Sequence, residues 1–272
     1  MKKKAPDISV LMPVFNAEKY VDEAINSILN QSFKEFELLI VDDCSTDNTW
    51  KIIQAHAKKD KRIIPVRNAK NLYIAGNRNK LIKLAKGKYI AWQDADDISM
   101  PNRLKHQYQF LEKHPEVGIV GGFLQFFADT GNTSIRKYAP DDETLRKNIF
   151  KFSPVAQPAA MIRIKILQKA GEYNLKYPPA EDIDMSFRLG INSKFANLQE
   201  TVIKYREHPK SSTFTRLKKI ETSTLEIRKK YANKYGYKMS ISDKIYNSLQ
   251  YLSIFLIPPR MKIYFFNIFR NR

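Results

Sequence analysis

Two hydrophobic patterns alternate along the first hundred residues. Short unbroken apolar runs suit strands buried on both faces, and apolar residues spaced by three and four suit helices with one covered side. Ile8-Ser9-Val10-Leu11-Met12-Pro13-Val14-Phe15 is the first such run. Val21, Ala24, Ile25, Ile28 and Leu29 then share one helical face. A second run over 36–41 ends in Asp42-Asp43, and Ser45 or Thr46 is placed to cap a helix through Trp50, Ile53 and Ala57. A shorter strand is expected over 62–66 and a helix over 72–85, with Gly87 as its stop. Tyr89-Ile90-Ala91-Trp92 opens the fourth run, which ends in Asp94-Ala95-Asp96-Asp97. This alternation predicts an α/β protein with a doubly wound, mostly parallel sheet.

The rhythm then weakens. Residues 101–114 read as an amphipathic helix and 117–127 as a strand, while 128–180 carry Pro154, Pro158, Pro178 and Pro179 around short pieces. Helical spacing resumes at Asp182, with Ile183 and Phe187 on one side. From Phe214 onward the composition changes: 13 Lys or Arg stand against 3 Asp or Glu. The chain is therefore divided into a catalytic domain over 1–212 and a basic, amphipathic helical extension over 213–272.

Charge and cysteine content narrow the partners. A formal net charge of +19 calls for an anionic partner, which means nucleic acid, a phosphorylated substrate or an anionic membrane. Nucleic acid is not expected, because the cations are not interleaved with aromatics on a strand platform and no binding motif occurs. Cys44 is the single cysteine, so an intrachain disulfide and a multi-cysteine zinc site are excluded and a reducing compartment is expected. The Lys-rich start is followed by an apolar run too short, and interrupted by Pro13, for a secretion signal. No stretch reaches transmembrane length.

Three acidic clusters interrupt this basic chain: Asp42-Asp43, Asp94-Ala95-Asp96-Asp97, and Glu181-Asp182 with Asp184. Carboxylates at the ends of buried strands lie at the sheet rim, where open α/β folds bind ligands. Asp94 and Asp96 point the same way in an extended segment, an arrangement that a hard divalent cation relieves. Helix capping is the other reading of each cluster, and both stand at this level. Neither a G-x-G-x-x-G nor a P-loop follows the first strand.

Four motifs in order carry a resemblance. Ile8 to Asn16, Val41-Asp42-Asp43-Cys44-Ser45-Thr46-Asp47, Asp94-Ala95-Asp96-Asp97, and Ala180-Glu181-Asp182 with Tyr205-Arg206-Glu207-His208 closely resemble the family 2 glycosyltransferases of the glycosyltransferase A fold, over roughly 7–212. Cys44 stands where that family often has Gly. The resemblance implies an inverting, metal-dependent hexosyl or N-acetylhexosaminyl transfer from a nucleotide-sugar donor, usually a UDP-sugar. Asp43 would accept a hydrogen bond from the base, with Val14 or Phe15 packed near it. Arg78 and Asn79 would face the nucleotide, and Asp94 would contact the ribose or the metal shell. Asp96 would bind Mn²⁺ or Mg²⁺. Asp182 would be the general base, with Glu181 beside it. His208, and with it Arg206, would lie on the loop over the diphosphate, His208 close enough to join the metal.

The implied acceptor is a glycan or lipid-linked glycan, in bacterial surface polysaccharide or lipopolysaccharide synthesis. Two other readings keep the fold: a catalytically silent membrane-surface scaffold, and a nucleotidyltransferase. The latter lacks its glycine-rich loop. Cations and aromatics alternate over 260–270, a mixture that suits a helix lying in an anionic membrane interface. Packing on the catalytic domain or across a homodimer is the alternative use of those aromatics. Membrane docking implies a cytoplasmic enzyme held on the inner face of the cytoplasmic membrane.

Overall fold

Strand β1 (Ile8–Val14) is buried along its whole length, and so is β2 (Phe36–Asp42). Successive side chains of a strand leave opposite faces, so each strand feeds two cores. Leu11, Leu39 and Val41 enter one, while Val10, Met12, Leu38 and Ile40 enter the other. Both faces are covered by helices, as the unbroken apolar runs require. The computed structural model describes residues 5–258 apart from 129–130, 132, 210 and 212–214, together with 261–262.

The first half follows the expected alternation. Helix α1 (Val21–Leu29) follows β1, α2 (Thr49–Lys59) follows β2, and β3 (Ile63–Arg67) and α3 (Tyr73–Leu84) lead into β4 (Tyr89–Trp92). These strands pair in parallel in the order β3-β2-β1-β4, with Ile8 opposite both Phe36 and Tyr89. Gly87 serves a different purpose from the stop signal expected of it. Helix α3 has already ended at Leu84, and a Cβ on Gly87 would lie 2.5 Å from the Ser9 amide nitrogen. The bare backbone lets this segment close against β1, where the Gly87 amide donates to Ser9 Oγ at 2.8 Å.

Beyond β4 the sheet turns mixed. After the two-residue β5 (Ile98–Ser99) come α4 (Arg103–Lys113), β6 (Val117–Phe127) and β7 (Thr133–Arg136). The proline-marked region folds into α5 (Asp142–Lys147), a 3₁₀ turn over Gln157–Ala159, β8 (Met161–Arg163) and α6 (Ile164–Ala170). Helix α7 (Glu181–Asn192) and the thirteen-residue β9 (Lys194–Arg206) follow. Strand β8 runs antiparallel to β4 and to β6, while β9 lies parallel to β6 and receives β5 antiparallel. The order is β3-β2-β1-β4-β8-β6-β9-β5, with β7 paired antiparallel to β6 off this path.

The basic extension folds back on this body. Helix α8 (Leu217–Tyr231) meets α7, where the Tyr231 and Phe187 rings stack with centroids 4.6 Å apart and planes 2° from parallel. Ile227, Tyr231 and Tyr237 belong to the same core as Trp92 and Met185. Buried Asp184 Oδ1 accepts from Lys230 Nζ at 2.8 Å and from the Tyr231 hydroxyl at 3.1 Å. Helix α9 (Ile241–Leu256) opens on a capping box between Ser240 and Asp243. Among the described residues no helix is long and apolar enough to cross a membrane. Of the aromatic–cationic stretch over 260–270, only Met261 and Lys262 lie within the described residues.

Candidate active site

The site gathers at the carboxyl ends of β1, β2 and β4, the rim where parallel sheets present ligand-binding loops. Val14 is buried at the end of β1, and Phe15 after it is half exposed. Asp42 is fully buried and paired with Arg67 at 3.1 Å. Asp43 is buried too, and its Oδ1 accepts from Asn68 Nδ2 at 2.7 Å and from the Leu72 amide at 2.8 Å. Among the described residues its second carboxylate oxygen accepts no hydrogen bond. Cys44 takes φ 64°, the left-handed conformation a glycine adopts freely. A side chain there costs on the order of 1 kcal/mol.

The turn after β4 is held from below. Gln93 donates to the Asp94 and Asp97 carbonyls at 3.0 and 2.8 Å. Arg103, buried, donates to the Trp92 carbonyl at 2.7 Å and to Ser99 Oγ at 2.9 Å. Asp97 points inward, accepting the Arg206 amide at 2.9 Å, and burial followed by its neighbours Asp96 and Asp94 pushes its pKa well up. It is a structural member of the cluster. Asp96 turns outward, a third of its side chain exposed, with its Oδ2 2.9 Å from His208 Nε2. Arg206 Nε donates to the Asp96 carbonyl at 3.0 Å, and its guanidinium sits over Tyr20 and Phe127 and pairs with Glu23.

Arg78 joins the rim to α7. Its Nη1 donates to Glu181 Oε1 at 2.6 Å, and its guanidinium lies 5.4 Å from the ring centres of Trp92 and Tyr173. Burial alone would weaken its charge, but Glu181, Tyr173, Asp94 and Asp182 hold it firmly protonated. In return Arg78 partly offsets the burial that raises the pKa values of Glu181 and Asp182. Asp94 is pushed up to about 6, first by burial, with Arg78 opposing and Asp96 adding to the rise.

Three expected residues thus meet around one cation: Asp94, Glu181 and Asp182 surround Arg78, and Asp96 adjoins through Asp94. Two differ from expectation. Arg78 is only 6% exposed and is engaged with Glu181, so it braces the acidic pair instead of presenting itself to a nucleotide. Asn79 spends its amide on Tyr173, donating to the carbonyl at 2.9 Å and accepting from the amide at 2.7 Å. The supporting roles of Gln93, Arg103 and Glu23 leave no signal in the sequence.

A divalent ion would find a limited but suitable donor set. Among the described residues no group of three or more His, Cys, Asp or Glu is placed to hold one. The adjacent Asp96 carboxylate and His208 imidazole supply two donors, and hard cations in phosphate-handling sites commonly use one or two side chains with substrate oxygens completing the shell.

The glycosyl transferase family 2 profile matches residues 9–171, more than half of the chain. An uncharacterized glycosyltransferase of Methanocaldococcus jannaschii, MJ1057, is 35% identical over 220 residues, covering 79% of this chain and 75% of the relative. The UDP-Glc:α-D-GlcNAc-diphosphoundecaprenol β-1,3-glucosyltransferase WfaP of Escherichia coli is 29% identical over 78% of this chain and 82% of its own. The chain belongs to the family 2 glycosyltransferases, and it is a glycosyltransferase. Solved structures share the fold: TarS 1–349 of S. aureus in complex with UDP superposes with a TM-score of 0.67 at 20% identity, over 92% of this chain and 72% of that one. This chain spans 39% of a longer TarS chain. The mannosyltransferase PcManGT of Pyrobaculum calidifontis, in complex with GDP-Man and Mn²⁺, gives 0.66 at 16% identity over 94% and 71%.

Proposed function

We propose that this glycosyltransferase moves a sugar from a UDP-sugar, with inversion, onto a lipid-linked glycan in surface polysaccharide synthesis. The observation that carries the reading is the gathering of Asp94, Glu181 and Asp182 around Arg78, with Asp96 beside Asp94 and paired with His208. Asp43 receives the base through its open carboxylate oxygen, beside exposed Phe15. Asp96 and His208 would hold a divalent ion, Mn²⁺ or Mg²⁺, which when bound would neutralise charge on the departing diphosphate. Asp182 takes the proton of the acceptor hydroxyl as that oxygen attacks the anomeric carbon and the bond to the diphosphate breaks. A single displacement of this kind inverts the anomeric centre. Arg78 keeps Glu181 beside the base and tempers the rise in the Asp182 pKa.

The UDP choice is supported by the UDP complex of TarS and by the UDP-Glc named for WfaP. The lipid-linked acceptor is supported by the diphosphoundecaprenol in the WfaP name and by the basic extension. Such an acceptor places the enzyme on the inner face of the cytoplasmic membrane. The test is metal-dependent hydrolysis and transfer across a panel of nucleotide sugars. A UDP-sugar should be turned over with Mn²⁺ and not with excess chelator. Turnover of GDP-sugars alone, or undiminished activity in chelator, rejects the donor or the metal assignment.

A further inference from the structure

We propose that α9 is the part of this enzyme that touches the bilayer, its outer face lying on a surface that contains anionic lipid. The proposal rests on the lipid-acceptor reading above and gives it a structural element. Ile241, Ile245, Leu249, Leu252 and Leu256 follow one another at spacings of four, four, three and four, so they form one stripe along the helix. Every one of them is 52–77% exposed. Tyr251 and Phe255 widen the stripe and are also exposed.

A helix docked on a globular body normally turns such a stripe inward. Here the polar side is turned in. Asp243 is buried in the capping box, 3.4 Å from Lys151 Nζ. Asn247 donates to the Phe150 carbonyl at 2.9 Å and accepts from Arg228 at 3.2 Å, and Gln250 accepts from Arg228 at 2.8 Å. Ile254 is the one buried apolar side chain of α9. The fold thus anchors α9 chiefly by its hydrogen-bonding groups and leaves the exposed stripe to an outside partner.

Charge selects the partner. The only carboxylate of α9 is the buried Asp243, and its one cation, Lys244, is exposed. Lys244 and Lys229 line a groove of about 470 Å³ between α8 and α9, with apolar Leu225, Met239 and Leu252. Among the described residues neither lysine has a carboxylate partner. Lys218 Nζ stands 5.7 Å over the Phe255 ring. An apolar stripe with a cationic rim matches the boundary between acyl chains and anionic headgroups. A second copy fits poorly, because the rims would set lysine against lysine. The stripe of a 16-residue helix also measures roughly 24 by 10 Å, well short of the roughly 800 Å² each partner buries in a stable interface.

The experiment is flotation of the full chain with phosphatidylcholine vesicles, with and without phosphatidylglycerol. The wild type should float with the anionic vesicles and release partly in high salt. L249E/L252E should lower the partition coefficient by roughly 100-fold, since each leucine contributes about tenfold or more when covered. K229E/K244E should lower it about tenfold or more and remove much of the salt sensitivity. Donor hydrolysis in solution, unchanged in both variants, shows that they fold. Flotation by the wild type with no hydrolysis of any UDP-sugar rejects the UDP donor assigned above and leaves the docking face standing. Equal flotation of wild type and L249E/L252E overturns the proposal, as does no flotation by the wild type. A dimer that L249E/L252E dissociates overturns it in favour of a second copy.

Discussion

Arg78 shows how one buried side chain sets the electrostatics of its surroundings. It is a single positive charge among Asp94, Glu181 and Asp182, and removing it would strand Glu181 without a cation in a dry setting. Loss of one partner from a buried pair costs about 3–5 kcal/mol, so Arg78→Ala should lower stability by that order in urea titrations while Arg78→Lys loses less. Asp182, the proposed general base, gives a pH signature. Burial holds its pKa above the usual 3.8. A general base works only when ionised, so kcat should fall as pH drops, with the acid limb above that of an ordinary carboxylate. Asp182→Asn should abolish that limb and reduce kcat by roughly 10²–10⁴-fold, with UDP affinity retained in calorimetry. Asp94 makes a separate contribution to stability. Its carboxyl is at about 6 in the fold and near 3.8 unfolded, so between those values the folded chain binds more protons. The contribution is present below 3.8 and is lost as pH rises through about 6. Ion-free Asp94→Asn should therefore melt above wild type at pH 7.5 and close to it at pH 4, a comparison that differential scanning calorimetry makes directly.

Elements explain which parts of the site the sequence disclosed. The strands β1, β2 and β4 announce themselves as apolar runs because helices cover both their faces, and their acidic ends stand out against a basic chain. Strand β9 gives no such signal. It carries Lys194, Gln199, Glu200 and Lys204 among its apolar residues, and its register against β6 shifts at three places, so neither alternation nor an unbroken run survives. The supports of the acidic turn are equally silent. Arg103 lies ten positions from Gln93, and Arg206 lies 109 from Asp97, distances at which no local spacing marks a contact. Asn79 illustrates the limit from the other side: its place beside Arg78 in the motif suggests a nucleotide contact, and only the tertiary position of Tyr173 claims its amide. The joint between α7 and α8 was legible only as periodicity. Its energetic weight comes from Tyr231 stacked on Phe187 over Asp184. Tyr231→Ala should cost roughly 3–5 kcal/mol by cavity formation. Tyr231→Phe keeps the stack and loses one hydrogen bond of about 1 kcal/mol, and chemical denaturation separates the two.

At the scale of the whole molecule, the candidate site is assembled from both ends of the chain. Asp43 belongs to the parallel half, built from neighbouring strand–helix steps. Asp96 meets His208, 112 positions later, just beyond β9, the strand that pairs with β6 and β5. Closing so long a loop carries an entropic cost that short strand–helix steps avoid, and non-local pairing slows folding. Competence for transfer is thus a late event in the life of the chain. During refolding the inner sheet should recover its circular dichroism before UDP-sugar turnover returns, and the lag between the two signals times the arrival of β9.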